Sequence, residues 1–246
     1  MSLRSAVFSG LNRILHLRGL ELRARPSLQH DESMEAGLAR AAKLVPEIAT
    51  VVDVGAAAGT WTQRSLRHFP RARHLAIEPL HERRAALEAL CAAHANVELA
   101  LAAAGEAPGA VVFNVAGDLD SSGIYGAESG SGRKVPVTTI DHEIARRALP
   151  PPYFIKLDTH GFELPILSGA RQTLEQTALL MIEAYNFVIA PPCVRFHELC
   201  AWLETRGFRT SDVIEPLRRP RDTMLWQMDL VFVRSDHPAT GLVTYR

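Results

Sequence analysis

"VVDVGAAAGTWT", residues 51–62, starts as an apolar run carrying one acid, Asp53. It turns through Gly55, Ala56, Ala57, Ala58 and Gly59 and resumes at Thr60 with helical character. Glycine and alanine at such a corner let a ligand approach the backbone closely, and a helix that begins there offers unpaired N–H groups. A strand, a small-residue corner and a helix in that order point to a binding corner in an α/β sheet.

Outward from this corner, short apolar runs alternate with helical stretches, the pattern of parallel strands joined by crossover helices. Seven runs read as strands: 50–55, 74–78, 96–104, 153–158, 178–184, 207–214 and 229–235. Several are apolar almost without interruption, which predicts cover on both faces of the sheet. Helices are expected around 60–69, 80–94, 162–176 and 195–206. The last sets Phe196, Leu199, Cys200 and Leu203 on one stripe, so Cys200 reads as core. Between the third and fourth strands, "GAVVFNVAG" (109–117) and "KVPVTTID" (134–141) predict a β-hairpin insertion around a Gly/Ser-rich loop.

Residues 1–45 are expected to form an N-terminal helical appendage to an α/β domain spanning 46–246. Within the appendage Val7, Leu11, Ile14, Leu15 and Leu17 recur at helical spacing with arginines between them, as a lid or docking helix would. Arg4, Arg13 and Arg18 interrupt the segment before any run reaches the ~18 residues of a membrane span, and it is too short and broken for a secretory signal. Of the 246 residues, 27 Lys and Arg balance 27 Asp and Glu. That balance provides no basic excess for nucleic acid or an anionic membrane. Three cysteines are too few and too oddly counted for a disulfide framework, which points to a reducing cytoplasm. The expected partner is a small-molecule or glycan acceptor, with no nucleic acid and no stable membrane insertion. Nothing in the pattern selects an oligomeric state.

The corner itself narrows the ligand. A dinucleotide fingerprint requires G-x-G-x-x-G, and a P-loop requires Lys-Ser or Lys-Thr after its last glycine; neither is present. An acid inside the motif suits a cationic or hydrogen-bond-donating ligand, of which S-adenosylmethionine is one. Glu78 ends the next strand in "HLAIEP", where a carboxylate can accept from both hydroxyls of a ribose. Together the two acids predict a nucleoside-containing cofactor.

"PYFIKLDTHGFELPILSGA", residues 152–170, gathers ionisable groups at the end of another strand. Alternation puts Phe154, Lys156 and Asp158 on one face, and Asp158, Thr159 and His160 beyond the carboxyl end, where open α/β sheets bind ligands. Lys156 can pair with Asp158 or Glu163, and Glu163 also suits the start of a helix. Glu183 ends the fifth strand. Asp158, His160 and Glu183 are therefore the candidate proton acceptors, with His160 or Asp158 preferred. Asp158 and Glu183 also suit Mg²⁺, but no dense carboxylate cluster is evident, and Cys193 and His197 lack zinc-ligand spacing, so no metal is expected. Arg218, Arg219 and Arg221 either meet an anionic acceptor or form a solvated loop, the commoner arrangement.

"DVGAAAGTWT", "AIEP", "VTTID" and above all "IKLDTHGFELPILSGA" resemble the motifs of the FkbM-type methyltransferases, class I S-adenosylmethionine-dependent O-methyltransferases, from about residue 48 to 234. The pattern K-x-D-x-x-G-x-E-x-x-x-L-x-G-A is filled by Lys156, Asp158, Gly161, Glu163, Leu167, Gly169 and Ala170. The resemblance implies a Rossmann-like seven-stranded sheet with the last strand antiparallel. It also implies transfer of a methyl group to a hydroxyl of a sugar, glycan or natural product, with S-adenosylhomocysteine as product. It places Asp53, Gly55, Ala57, Gly59 and Thr60 at the cofactor turn, Glu78 at the ribose and Ala103 near the adenine. Ser121 and Ser122 fall on a small-residue loop, and Asp158 faces the cofactor. The chain departs from the pattern at Ala57, where asparagine is frequent, and at His160, where an acid or glutamine is frequent. A nicotinamide-dependent oxidoreductase and a non-catalytic cofactor-binding module are the alternatives; the missing glycine fingerprint disfavours the first.

Overall fold

A computed structural model describes residues 31–117, 119, 122, 123 and 132–244. In chain order the elements are α1 (Met34–Leu44), β1 (Thr50–Val54), α2 (Thr60–His68), β2 (Arg73–Ile77), α3 (Arg84–Ala93), β3 (Val97–Ala100) and β4 (Ala103–Ala104). Then come β5 (Gly109–Asn114), β6 (Gly132–Thr138), α4 (Ile140–Arg147), β7 (Tyr153–Leu157), α5 (Glu163–Ser168) and α6 (Arg171–Glu175). The chain finishes with β8 (Thr177–Tyr185), α7 (Phe196–Glu204), β9 (Phe208–Arg218) and β10 (Leu225–Arg234). Seven strands form one sheet in the order β3-β2-β1-β7-β8-β10-β9. All neighbours are parallel except β10, which runs antiparallel to both β8 and β9. This is the expected class I sheet with an antiparallel last strand.

The near-continuous apolar strands are covered on both faces. On one face Val52, Leu75, Ile155 and Ile182 pack with Leu199 and Leu203 of α7; on the other, Val51, Phe154 and Met181 pack with Leu38 of α1 and Trp61 of α2. Phe154 takes the ring edges of Trp61 and Phe69 at centroid distances of 5.7 and 5.4 Å, the offset geometry that aromatic quadrupoles favour. Residues 34–44 thus belong to the helical layer of the α/β body. Ser33 caps α1, and the Glu215 amide donates to the Glu32 carbonyl at 2.7 Å, tying the entry of α1 to β9. The helix expected around residues 7–17 lies outside the described residues, as does Ser121. Among the described residues no helix is long and apolar enough to cross a membrane.

Three elements depart from the sequence expectations for identifiable reasons. The run 96–104 is divided: β3 stays in the main sheet, while β4 pairs in parallel with β6 of the β5–β6 hairpin, forming a second sheet. Without β4, one edge of β6 would carry unpaired backbone groups, and residues 103 and 104 supply their partners. The single helix expected over 162–176 is broken into α5 and α6. Gly169 there lies so close to Gly105 that a Cβ would stand 2.1 Å from the Gly105 carbonyl oxygen. Asp141 then caps the restart, accepting from the Gln172 and Thr173 amides at 3.1 and 2.8 Å. Finally, α4 was not expected; its N-cap, Thr139, accepts from the His142 amide at 3.0 Å, a recognisable helix-start signal in "TTIDHE".

Candidate functional site

The corner after β1 is built by backbone conformations that its small residues permit. Gly55 has φ +77°, and a Cβ on it would lie 2.0 Å from the Asp158 carbonyl oxygen. Gly55→Ala is therefore expected to lower the melting temperature by several degrees, because left-handed strain of ~1–2 kcal/mol adds to the overlap; thermal unfolding checks it. Ala57 is also left-handed, at φ +48°. Its amide donates to Glu78 Oε2 at 2.8 Å, and the Leu80 amide donates to Glu78 Oε1 at 2.9 Å. Burial pushes the Glu78 carboxyl up, while the two amides and Arg83 oppose that shift. Each carboxylate oxygen keeps a further lone pair for a ligand donor.

Glu78 lines a cavity of about 240 Å³ at the carboxyl edge of the sheet. Gly55, Ala57, Ala103, Ser122, Asp158, His160 and Glu183 line it too, as do the apolar walls Leu80, Phe113, Phe162 and Ile166. Three residues assigned to the cofactor turn are not part of the lining. Asp53 is only 1% exposed and turns into the protein, accepting from Thr62 Oγ1 at 2.6 Å and lying 3.4 Å from Lys156 Nζ. Gly59 is the N-cap of α2, and Thr60 is the exposed first residue of that helix.

At the β7 and β8 ends a polar network closes the cavity. Lys156 pairs with Asp158 at 3.1 Å as well as with Asp53, and not with Glu163. Burial alone would push its ammonium down, but the two carboxylates outweigh that and hold it above the usual lysine range. Burial likewise pushes Asp158 up, yet Lys156 and His160 keep it below the usual carboxylate range. Glu163 instead organises the loop, its Oε1 accepting from the Gly161 amide at 2.9 Å and from Thr159 Oγ1 at 3.1 Å. Burial raises its carboxyl to about 7.

His160, at φ +52°, places Nδ1 3.1 Å from Glu183 Oε2 and 3.0 Å from Tyr185 Oη. Tyr185 Oη donates to Glu183 Oε2 at 2.5 Å, and Gln227 Nε2 donates to Oε1. Burial beside Glu183 pushes the Tyr185 phenol far above its usual range. Asp229 lies across from Glu183 in the β8–β10 register and is raised to about 7 by burial and by Asp158. Tyr185 and Gln227 were not anticipated. Tyr185 was within reach of sequence reasoning, since it stands two residues beyond Glu183 and shares its face; Gln227 depends on the β8–β10 register.

Ligand atoms of Asp158, His160 and Glu183 lie within 4.8 Å of one another, a set whose donor chemistry suits a divalent cation. Here protein partners already hold these groups: Lys156 holds Asp158, and Tyr185 and Gln227 hold Glu183. Cys193 is buried and would touch any Cβ at Gly161, which is a packing role. Arg219 is paired with Asp222 at 2.6 Å and lies 4.3 Å over Phe187, and Arg218 donates to the Thr223 carbonyl, so both close their own turn.

A model of the methyltransferase FkbM domain matches residues 53–210. Among solved structures the chain is similar to a methyltransferase FkbM from Methylobacillus flagellatus KT, at 18% identity and TM-score 0.48. That match covers 74% of this chain and 43% of the relative, so the chain spans less than half of that protein. It is also similar to 1,6-didemethyltoxoflavin-N1-methyltransferase from Burkholderia thailandensis, solved with 1,6-didemethyltoxoflavin and S-adenosylhomocysteine, at 13% identity, TM-score 0.47 and coverage of 95% and 89%. A third is precorrin-6y C5,15-methyltransferase from Geobacter metallireducens GS-15, at 12% identity, TM-score 0.45 and coverage of 86% and 93%. No curated protein matches the chain.

Proposed function

The chain belongs to the FkbM methyltransferase family, and on that premise we propose that it is an S-adenosylmethionine-dependent O-methyltransferase acting on a hydroxyl of a sugar, glycan or natural product. The observation that carries this reading is the pairing, in one cavity, of an amide-anchored carboxylate with a carboxylate-backed imidazole. S-adenosylmethionine, when bound, supplies a methyl group on a cationic sulfur. The residues fit it. Glu78 keeps acceptor capacity for a ribose diol, and Leu80, Ala103 and Phe113 offer an apolar bed for a purine. Ala57 furnishes no side-chain amide, and its backbone N–H is spent on Glu78.

Methyl transfer to oxygen requires alignment above all, an effect that supplies up to ~7–11 kcal/mol. An alcohol is a poor nucleophile, so removal of its proton adds a further gain. His160 takes that proton at Nε2, while Glu183 and Tyr185 fix Nδ1 and steady the imidazolium that results. Glu183 is thus a positioning residue. Asp158, engaged with Lys156, is less available as a base. The three cysteines are free, which accords with a cytoplasmic setting.

Calorimetric titration tests the cofactor half directly: S-adenosylmethionine is expected to bind and NAD not to bind. Glu78→Ala should weaken S-adenosylmethionine by about ten-fold, the ~1.4 kcal/mol of a charge-assisted hydrogen bond. Binding of NAD alone would overturn the reading. Formation of S-adenosylhomocysteine on panels of sugars and hydroxylated metabolites, followed with methyl-labelled cofactor, identifies the acceptor.

A further inference from the structure

Resting on that reading, we propose that Asp158 senses the charge on the cofactor's sulfur, so that the site favours the sulfonium donor over its neutral thioether product. The argument is one of placement. Glu78 follows β2 and Asp158 follows β7, and β1 lies between them in the sheet. Two strand spacings of roughly 4.8 Å separate their chain positions by about 10 Å. A ribose held by its diol at Glu78 spends one hydrogen bond of about 2.8 Å. Between the two ends lies the Gly55 turn, which abuts the Asp158 carbonyl, and the 5′ side of a ribose held at Glu78 would have to cross it to reach Asp158. Because Glu78 and Asp158 line the same cavity, a sulfur carried on that side would meet the Asp158 end.

That end carries fixed negative charge. Lys156 is shared between Asp53 and Asp158, so the three sum to one excess negative charge, and Glu183 adds a second beside His160. Lys156 is not part of the cavity lining, and Arg83, which is, lies on the Glu78 side of the sheet, in the segment that follows β2. A cationic sulfur gains from this field, and a neutral one does not. The amino-acid portion is the same in donor and product, so it cancels from their comparison. Specificity of this kind is a difference of affinities and is read as one.

The test is calorimetric and needs no turnover: S-adenosylmethionine, S-adenosylhomocysteine and sinefungin, which carries an amine where the sulfonium stands, are titrated into wild type, Asp158→Asn and Asp158→Glu. The asparagine variant is expected to lose about ten-fold in affinity for the two cationic ligands while S-adenosylhomocysteine stays within two-fold. The glutamate variant is expected to retain the preference. Equal losses for all three ligands in Asp158→Asn would overturn the proposal, because they would place Asp158 on a group common to donor and product. Should Asp158→Asn fail to fold, the wild-type ratio decides: S-adenosylmethionine binding tighter than S-adenosylhomocysteine supports the proposal, and equal or tighter binding of S-adenosylhomocysteine overturns it. A wild-type chain that binds none of the three overturns the functional reading and this inference together.

Discussion

Replacing His160 by alanine is expected to lower kcat for methyl transfer by about 10² to 10⁴, the usual contribution of a placed general base, while cofactor affinity stays within two-fold. The split follows from where the residue sits. His160 lines the cavity at the β7 end, beyond the turn that would hold the nucleoside, and its Nδ1 is engaged by Glu183 and Tyr185. Removing the ring takes away a proton acceptor and leaves the Glu78 anchor intact. Tyr185→Phe and Glu183→Gln leave the imidazole in place but unsupported, so they should reshape the pH dependence of kcat more than its maximum. Single-turnover rates with labelled cofactor separate these effects. An alanine variant as fast as wild type would mean that alignment alone carries the reaction.

Glu163→Gln is expected to stabilise the protein above neutral pH, an unusual direction for a substitution at a buried site. The folded carboxyl titrates at about 7 against an ordinary value of 4.5. A folded value above the unfolded one means that the native state binds the proton more tightly. The associated stability is fully present below about 4.5 and is lost as pH rises through about 7. The span amounts to ~3 kcal/mol at 1.36 kcal/mol per unit. Glutamine keeps an oxygen for the Gly161 amide and Thr159 hydroxyl and cannot ionise. Urea unfolding at pH 5 and pH 8 should show wild type weakening across the interval and the variant weakening less. Asp229 titrates in the same window, so some slope remains in both. Identical slopes would show that Glu163 titrates in the fold as it does in the unfolded chain, and would overturn the expectation.

Most of the sheet could be read from the sequence because its strands are buried on both faces, which writes them as apolar runs. The run at 96–104 misled because its last residues are alanines, equally at home in the main sheet or on the hairpin edge. The break at Gly169 was hidden because its cause is the Gly105 carbonyl, more than sixty positions away in the chain. At the site, Gly55, Glu78, Asp158, His160 and Glu183 were legible from their positions at or just beyond strand ends. Asp53 was expected to face the ligand, but it sits in register with Lys156 of β7 and on its face. Register between distant strands leaves no local mark in the chain. The same applies to Gln227, which stands opposite Tyr185 across the β8–β10 ladder.

Because β10 runs against its neighbours, its first residues open at the rim where the parallel strands finish. The reverse turn from β9 into β10, with Arg219, Trp226 and Gln227 on and beside it, therefore borders Tyr185 and Glu183 from the side away from Glu78. Inheritance can act on the two sides separately. Substitutions or insertions in this turn alter what is offered to the rim without disturbing the corner after β1, so on the proposed reading the donor-handling half can stay as it is while the recipient changes.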